Sequence, residues 1–363
     1  MNADIHTYSI FQSLLFAWVF WMTVTLGCLG ITLLHHVVRA SWGYPVLRIA
    51  EAGSKLFLPM ILLYVILFVA GKDHLYFWTH PDSYPDPELK NKIGYMGWAL
   101  VRLGIYAVIL GWLSIRVNNS SKREDQTGSI AERDKRTNIS APGLVLFVLV
   151  LTFAFTDWVM SLAPKWDSTI YGFLFLADSG LVALAFVTLI AVYWIKDPAY
   201  KPEINKSVTR DLGNLMLTFT MVWAYFNLSQ FLIQWSGNIP DEIHYYYIRN
   251  SDVWRWMGTF LIFGQFFLPF LLLLSNRAKR RPDLLGKIAA WIFCVRIVDV
   301  YWMVIPTLRQ GGLTDGGGNV ALDVVTWVVL SAIWLAGFST LLKQNTLLPR
   351  HAPYVPQEAL EHA

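Results

Sequence analysis

Apolar residues along this chain run in long, nearly unbroken blocks, separated by short polar stretches. A block of about 20 mainly apolar residues is what a helix needs to cross a bilayer, because every backbone polar group must be satisfied inside the segment. Nine blocks qualify: 9–36, 53–71, 93–117, 143–162, 168–195, 210–236, 253–275, 284–307 and 320–342, here spans 1 to 9. The second is the shortest; Glu51 and Lys55 flank its start and Pro59 lies inside it. The expected fold is an all-α integral membrane protein. The longest polar stretch, 118–140 (NNSSKREDQTGSIAERDKRTNIS), has charges that nearly cancel and reads as a mobile, solvated loop. The tail 346–363, with Pro349, Pro353 and Pro356, reads as extended. Residues 1–8 (MNADIHTY) lack a basic n-region and the first apolar run is too long for an h-region, so no cleaved signal peptide is expected.

Composition agrees with the pattern. Of 363 residues, 55% are apolar and only 15% charged, against about 25% in ordinary soluble chains; mean hydropathy is +0.44. Such a chain could not cover its own surface in water, which excludes a nucleic-acid binder, despite the net charge of +4, and a disordered scaffold. The two cysteines, Cys28 and Cys294, exclude a disulfide framework and a Cys-ligated iron–sulfur cluster in this chain, and no C-x-x-C-H is present for covalent haem. The histidines stand at 6, 35, 36, 74, 80, 244, 351 and 362. Only His35 and His36 adjoin a span and no second helix offers an axial partner, so an intramembrane bis-His haem is excluded. His74 and His80 are too loosely spaced for a metal site.

Lysine and arginine sort the loops. With the amino terminus on side B, the side-A loops and tail carry 20 basic residues and side B carries 7. Side A is therefore expected to be cytoplasmic, with the amino terminus outside and the carboxyl terminus inside. The side-B stretches LYFWTHPDSYPDP and SGNIPDEIHYYYIRNSDVWRW are dense in aromatics, which suits both an interfacial belt and a docking surface for an external partner.

Arg102 and Arg296 complete the 29 basic residues, and both fall inside spans. With them lie Asp157 in span 4, Asp178 in span 5 and Asp299, three residues after Arg296 on one face of span 8. Ionisable groups in lipid are costly and normally mark function. Two arginines against three aspartates leave one carboxylate formally without a counter-charge, able to take up and release a proton as a relay member must. The plainer reading is a set of salt bridges that lock the helices. Toward side A come His35, His36 and Glu51, and then Asp211 at the start of span 6. Tyr225, Asn227, Ser229, Gln230 and Gln234 of span 6 and Gln265 of span 7 could line a hydrogen-bonded path, or bond between helices.

The strings LLHHVVRASWGYPVLRIAEAG, TFAFTDWVMSLAPKWDSTIYG, WAYFNLSQFLIQWSGNIPDEI and VRIVDVYWMVIP resemble the polysulfide-reductase-type (NrfD-like) membrane subunits. More narrowly, they are similar to the second, smaller such subunit (ActF-like) of bacterial alternative complex III, a quinol:electron-acceptor oxidoreductase. The resemblance runs from about 10 to 350. It implies two four-helix bundles, spans 1–4 within 1–165 and spans 5–8 within 166–310, with span 9 peripheral in 311–345. Relatives begin with one more helix, so the short start before Ser9 departs from the pattern. The resemblance also implies residence in the bacterial cytoplasmic membrane and a large complex. Its expected partners are a sister NrfD-like subunit, an iron–sulfur/molybdopterin-like subunit, and multihaem and monohaem c-type cytochromes. Haem and iron–sulfur clusters would then sit only in those partners, with a quinone (menaquinone or ubiquinone) and lipid as the ligands this chain could meet.

Three functions compete. The first is a proton-conducting, complex-building subunit, with Asp157, Asp178, Arg102, Arg296 and Asp299 as the central relay and His36, Glu51 and Asp211 at the side-A mouth. The second is a quinone-binding subunit with its own side-B aromatic pocket and Asp157 as proton acceptor. The third is a proton-coupled transporter, for which the isolated Pro59 and Pro269 give little support. A structural anchor is the bland alternative.

Overall fold

The computed structural model describes residues 2–80, 87–198, 200–309, 312, 318–344, 346, 348 and 349. Every regular element among the described residues is a helix, and nine helical segments are long and apolar enough to cross a membrane. The chain is an α-helical, multi-pass membrane protein. Residues 81–86, part of one aromatic side-B stretch, and 350–363, most of the expected extended tail, lie outside the described residues.

Helix α1 (Asn2–Val38) is the centre of the molecule. From Leu15 to Met22 every side chain is buried, as expected of a helix that is apolar on all sides and enclosed by others. Around it run α2 (Leu47–Ser54) with α3 (Phe57–Leu75), α5 (Ala99–Thr127), preceded by the short α4 (Pro87–Met96), and α6 (Ile130–Trp158). Helices α1, α3, α5 and α6 close one four-helix ring. The second ring is α7 (Tyr171–Trp194), α8 (Lys206–Gly237), then α10 (Asp252–Leu261) with α11 (Leu268–Leu274), and α13 (Pro282–Leu308). The short α9 (Pro240–Tyr247) caps side B and α12 (Asn276–Lys279) side A. Helix α14 (Val320–Lys343) stands outside both rings, on α1 and α2. Trp334 of α14 stacks on Trp21 at 4.4 Å and donates to the Thr25 hydroxyl at 2.9 Å.

The rings share the α1–α7 seam, and small residues set its closeness. A Cβ at Gly27 would lie 1.8 Å from the Ser179 carbonyl oxygen and 2.6 Å from the Ala183 Cβ. In lipid, association rests on packing of this kind rather than on hydrophobic burial. Gly27→Leu is therefore expected to force the rings apart and cost about 3 kcal/mol or more, above the usual range for overpacking, because the obstacle is backbone. The measurement is the melting temperature of the detergent-solubilised protein; an unchanged value would contradict the seam.

Three segments differ from the sequence expectation. The stretch 118–140 is not a loop: α5 continues to Thr127 and α6 begins at Ile130, joined by a turn in which Gly128 is left-handed (φ 65°) and donates to the Glu124 carbonyl at 2.8 Å. Buried ion pairs between the two helix ends and α2 make up for the missing apolar face. The second span starts earlier than 53, at Leu47, and is broken at Lys55–Leu56. Pro59 cannot donate to the Lys55 carbonyl, so the helix restarts there. In span 7, residues Ile262–Phe267 form a π-helical turn ahead of Pro269. The proline leaves upstream carbonyls without a donor, and the Trp291 indole bonds to that of Gly264 at 2.8 Å.

Candidate functional site

The five intramembrane charges separate into two groups, one in each ring, so they do not form a single relay. In the first ring Arg102 clamps Asp157 with both arms of its guanidinium, Nε at 2.6 Å from one oxygen and Nη2 at 3.1 Å from the other. The Tyr106 hydroxyl adds a third bond at 2.8 Å. Arg102 also donates to the Tyr95 carbonyl at 2.6 Å and lies 3.7 Å over the Tyr95 ring. This is a one-to-one pair with its bonding capacity filled. The carboxylate left over in the sequence count is therefore not Asp157, which Arg102, 55 residues away, neutralises.

The second ring holds the excess charge. Arg296 and Asp178 are fully buried and Asp299 nearly so. One nitrogen of Arg296 lies 2.8 Å from Asp178 and also meets Asp299 one turn on. The Trp223 indole donates to Asp299 at 3.1 Å. One cation thus faces two carboxyl groups deep in the apolar interior, one acid more than it can neutralise. Apart from the Arg296 nitrogen, no hydrogen-bond donor reaches Asp178 among the described residues, and the Nε and Nη2 of Arg296 have no acceptor among them.

The expected side-A mouth is distributed differently. His36 and Glu51 belong to an ionic network at the side-A end of the first ring, away from the triad. Arg48 pairs with Glu51 and Asp125 and donates to Ser121 at 2.9 Å. Arg136 pairs with Glu124 and donates to the His36 Nδ1 at 3.3 Å. This network pins the α5–α6 hairpin to α1 and α2, so the polar stretch read as solvated holds buried charges. Asp211 pairs with its neighbour Arg210 on the side-A margin of α8.

Of the uncharged candidates, Tyr225 is 67% exposed and faces outward, so it lines no internal path. Gln230 is buried and accepts from the Ser168 hydroxyl at 3.1 Å, tying α8 to the 163–170 connection. Gln234 and Gln265 are buried, and Gln265, on the π-helical turn, has both amide atoms without a hydrogen bond among the described residues.

On side B a cavity of about 970 Å³ opens between the loops of the two rings. Its lining includes His74, Tyr76, Phe77, Trp166, His244 and Tyr245. Trp166 is held by Lys92, which donates to the Ala163 and Trp166 carbonyls at 2.9 and 3.0 Å and pairs with Asp167 at 3.0 Å. Burial pulls the Lys92 ammonium below its ordinary pKa, and Asp167 opposes that. Trp166 stacks on Tyr245 at 4.0 Å, and the Arg249 guanidinium covers the Tyr245 ring at 3.5 Å. Burial pushes the Tyr245 phenol up, with Arg249 opposing.

Sequence reasoning passed over Arg249 by counting it as a loop cation. Its partners are backbone: it donates to the Trp302 carbonyl at 3.1 Å, Met303 at 2.8 Å and Tyr245 at 2.7 Å, and to the Thr307 hydroxyl at 3.0 Å. Pro306 explains this arrangement, since its missing N–H leaves the Trp302 carbonyl without a helical donor. Pro306 was the available signal. Also missed was the closed cluster of Arg309 and Asp323, two bonds at 2.7 and 2.9 Å, to which Ser13 and Tyr301 donate at 2.6 and 2.8 Å.

Among the described residues there is no group of three or more His, Cys, Asp or Glu able to hold a metal. No protein-family model matches the chain, and no curated protein is significantly similar to it. What fold and site define is a class: a helical multi-pass membrane protein with a buried, charge-imbalanced acid–arginine triad.

Proposed function

We propose that this chain is a proton-conducting and complex-building membrane subunit of a bacterial quinol oxidoreductase of the alternative complex III type. The observation that carries the reading is the triad Asp178–Arg296–Asp299, two carboxylates on one guanidinium in the middle of a lipid-embedded ring. A structural lock is best served by equal charges and filled bonds, as at Arg102–Asp157. The triad has one acid more than it has cations, and a carboxyl group without its own counter-charge can load and unload a proton. In this reading the chain lies in the cytoplasmic membrane with its amino terminus outside. A sister NrfD-like subunit, an iron–sulfur/molybdopterin-like subunit and c-type cytochromes carry the electrons beside it.

A second reading is supported by the side-B cavity: its aromatic walls and histidines fit a planar, hydrogen-bonding ring such as a quinone headgroup, which would make this chain a quinone-binding subunit. Asp157, already saturated by Arg102 and Tyr106, is a poor proton acceptor for such a site.

The test is Asp178→Asn in the full chain, reconstituted in vesicles and driven by a potassium diffusion potential, with an internal pH dye. Proton flux is expected to fall to the level of empty vesicles, while in the intact assembly quinol turnover persists without proton translocation. Flux equal to wild type would remove the relay reading; loss of turnover on lining the cavity with bulkier side chains would favour the second.

A further inference from the structure

The triad and the side-B cavity are separated by two tyrosines that neither the charge pattern nor the motifs single out. Tyr245 forms part of the cavity wall yet is only 4% exposed. Its ring is fixed on both faces, by the Trp166 indole at 4.0 Å and the Arg249 guanidinium at 3.5 Å. Tyr171 meets it edge-on, at 6.3 Å between ring centroids, and is itself buried. Tyr171 opens α7, and Asp178 follows seven residues later, two turns along the same helix face and about 10 Å deeper. The order from outside inward is therefore cavity, Tyr245, Tyr171, Asp178.

We propose that Tyr245 and Tyr171 are the side-B proton port of the triad, passing protons between whatever hydroxylic occupant or water fills the cavity and Asp178. The inference rests on the relay reading above and adds the route by which that relay is reached. A proton arriving from the cavity binds the Tyr245 oxygen as that phenol's own proton passes to Tyr171; the Tyr171 proton passes to an intervening water, and that water's proton to the Asp178 carboxylate. One O–H bond forms for each that breaks, and no electron moves.

Arg249 suits this role better than an ion-paired arginine would. No carboxylate pairs with it among the described residues; its nitrogens are occupied by carbonyls and the Thr307 hydroxyl. Its positive charge is therefore not cancelled locally and acts on the ring it covers, offsetting the negative charge on the Tyr245 oxygen whenever the hydroxyl proton is away. Across the two phenols it faces the triad. The guanidinium is tied to the end of α13, the helix that carries Arg296 and Asp299.

The experiment compares Tyr245→Phe, Tyr171→Phe and Asp178→Asn in the full chain, in vesicles with an internal pH dye and a potassium diffusion potential. Phenylalanine keeps the Trp166 stack and the guanidinium contact and removes only the hydroxyl, so melting temperatures should stay near wild type. Each Tyr→Phe variant is expected to slow proton flux by roughly tenfold or more, the scale of losing a positioned proton-transfer group. Asp178→Asn should abolish it. If either phenylalanine variant conducts at the wild-type rate while Asp178→Asn does not conduct, the tyrosines are not the port and the relay reading stands. If Asp178→Asn conducts like wild type, the relay reading itself has failed.

Discussion

Replacing Arg296 by leucine is expected to leave Asp178 and Asp299 together in the interior of the second ring with no cation between them. Removing one partner of a buried ionic group costs about 3–5 kcal/mol, because the remaining charge has lost its counter-charge and has no water in exchange. Here two carboxylates are stranded, and only the Trp223 indole still donates, to Asp299. The effect belongs at the top of that range, and the variant should fail to assemble or melt far below wild type in detergent. The companion substitution makes the measurement decisive. Replacing Asp178, Arg296 and Asp299 all by leucine removes the acids together with their cation, strands no buried charge and should restore most of the melting temperature. Proton flux should remain absent. A triple variant that is stable and still conducts would mean the triad is only a lock.

Asp323→Leu should produce the second large loss, at the other edge of the molecule. Arg309 is buried, and its two strong bonds go to Asp323 of α14; Gln12 accepts a third at 3.2 Å. Without the carboxylate, the cation loses both of its bonds to Asp323, and the Ser13 and Tyr301 hydroxyls lose their common acceptor. A cost of about 3–5 kcal/mol is expected, felt as detachment of α14 rather than general unfolding, since the helix stands outside both rings. Limited proteolysis should cut the side-B connection before α14 faster in the variant. Equal cutting rates would show that Trp334 and its neighbours hold α14 unaided. Proton flux through the second ring should survive in the molecules that remain folded.

The nine spans were legible because lipid imposes one length on every crossing helix, and length survives without knowledge of packing. Residues 118–140 were not, because their helical hairpin is held by tertiary ion pairs. Arg48 reaches Asp125 across 77 residues, and no local pattern announces that. The five intramembrane charges stood out for the same reason the spans did: lipid makes a charge conspicuous. Their pairing was invisible, since Arg102 meets Asp157 and Arg296 meets Asp178 only once the rings are closed. Tyr225 was singled out by polarity and faces outward, because a span that is apolar on every side gives no periodicity to mark its inner face. Tyr171 and Tyr245 escaped for the opposite reason: among so many aromatics, two more carry no signal until their neighbours are known.

The contact between Ser13 and Asp323 joins residues 310 positions apart. Helix α1 precedes α14 in the chain, so this part of its surface stays without its partner until α14 has been synthesised. Until then Ser13 lacks the carboxylate to which it donates. A chain cut short before α14 would lack the carboxylate that takes two bonds from Arg309. Synthesis of α14 is thus registered far upstream, on the surface of α1.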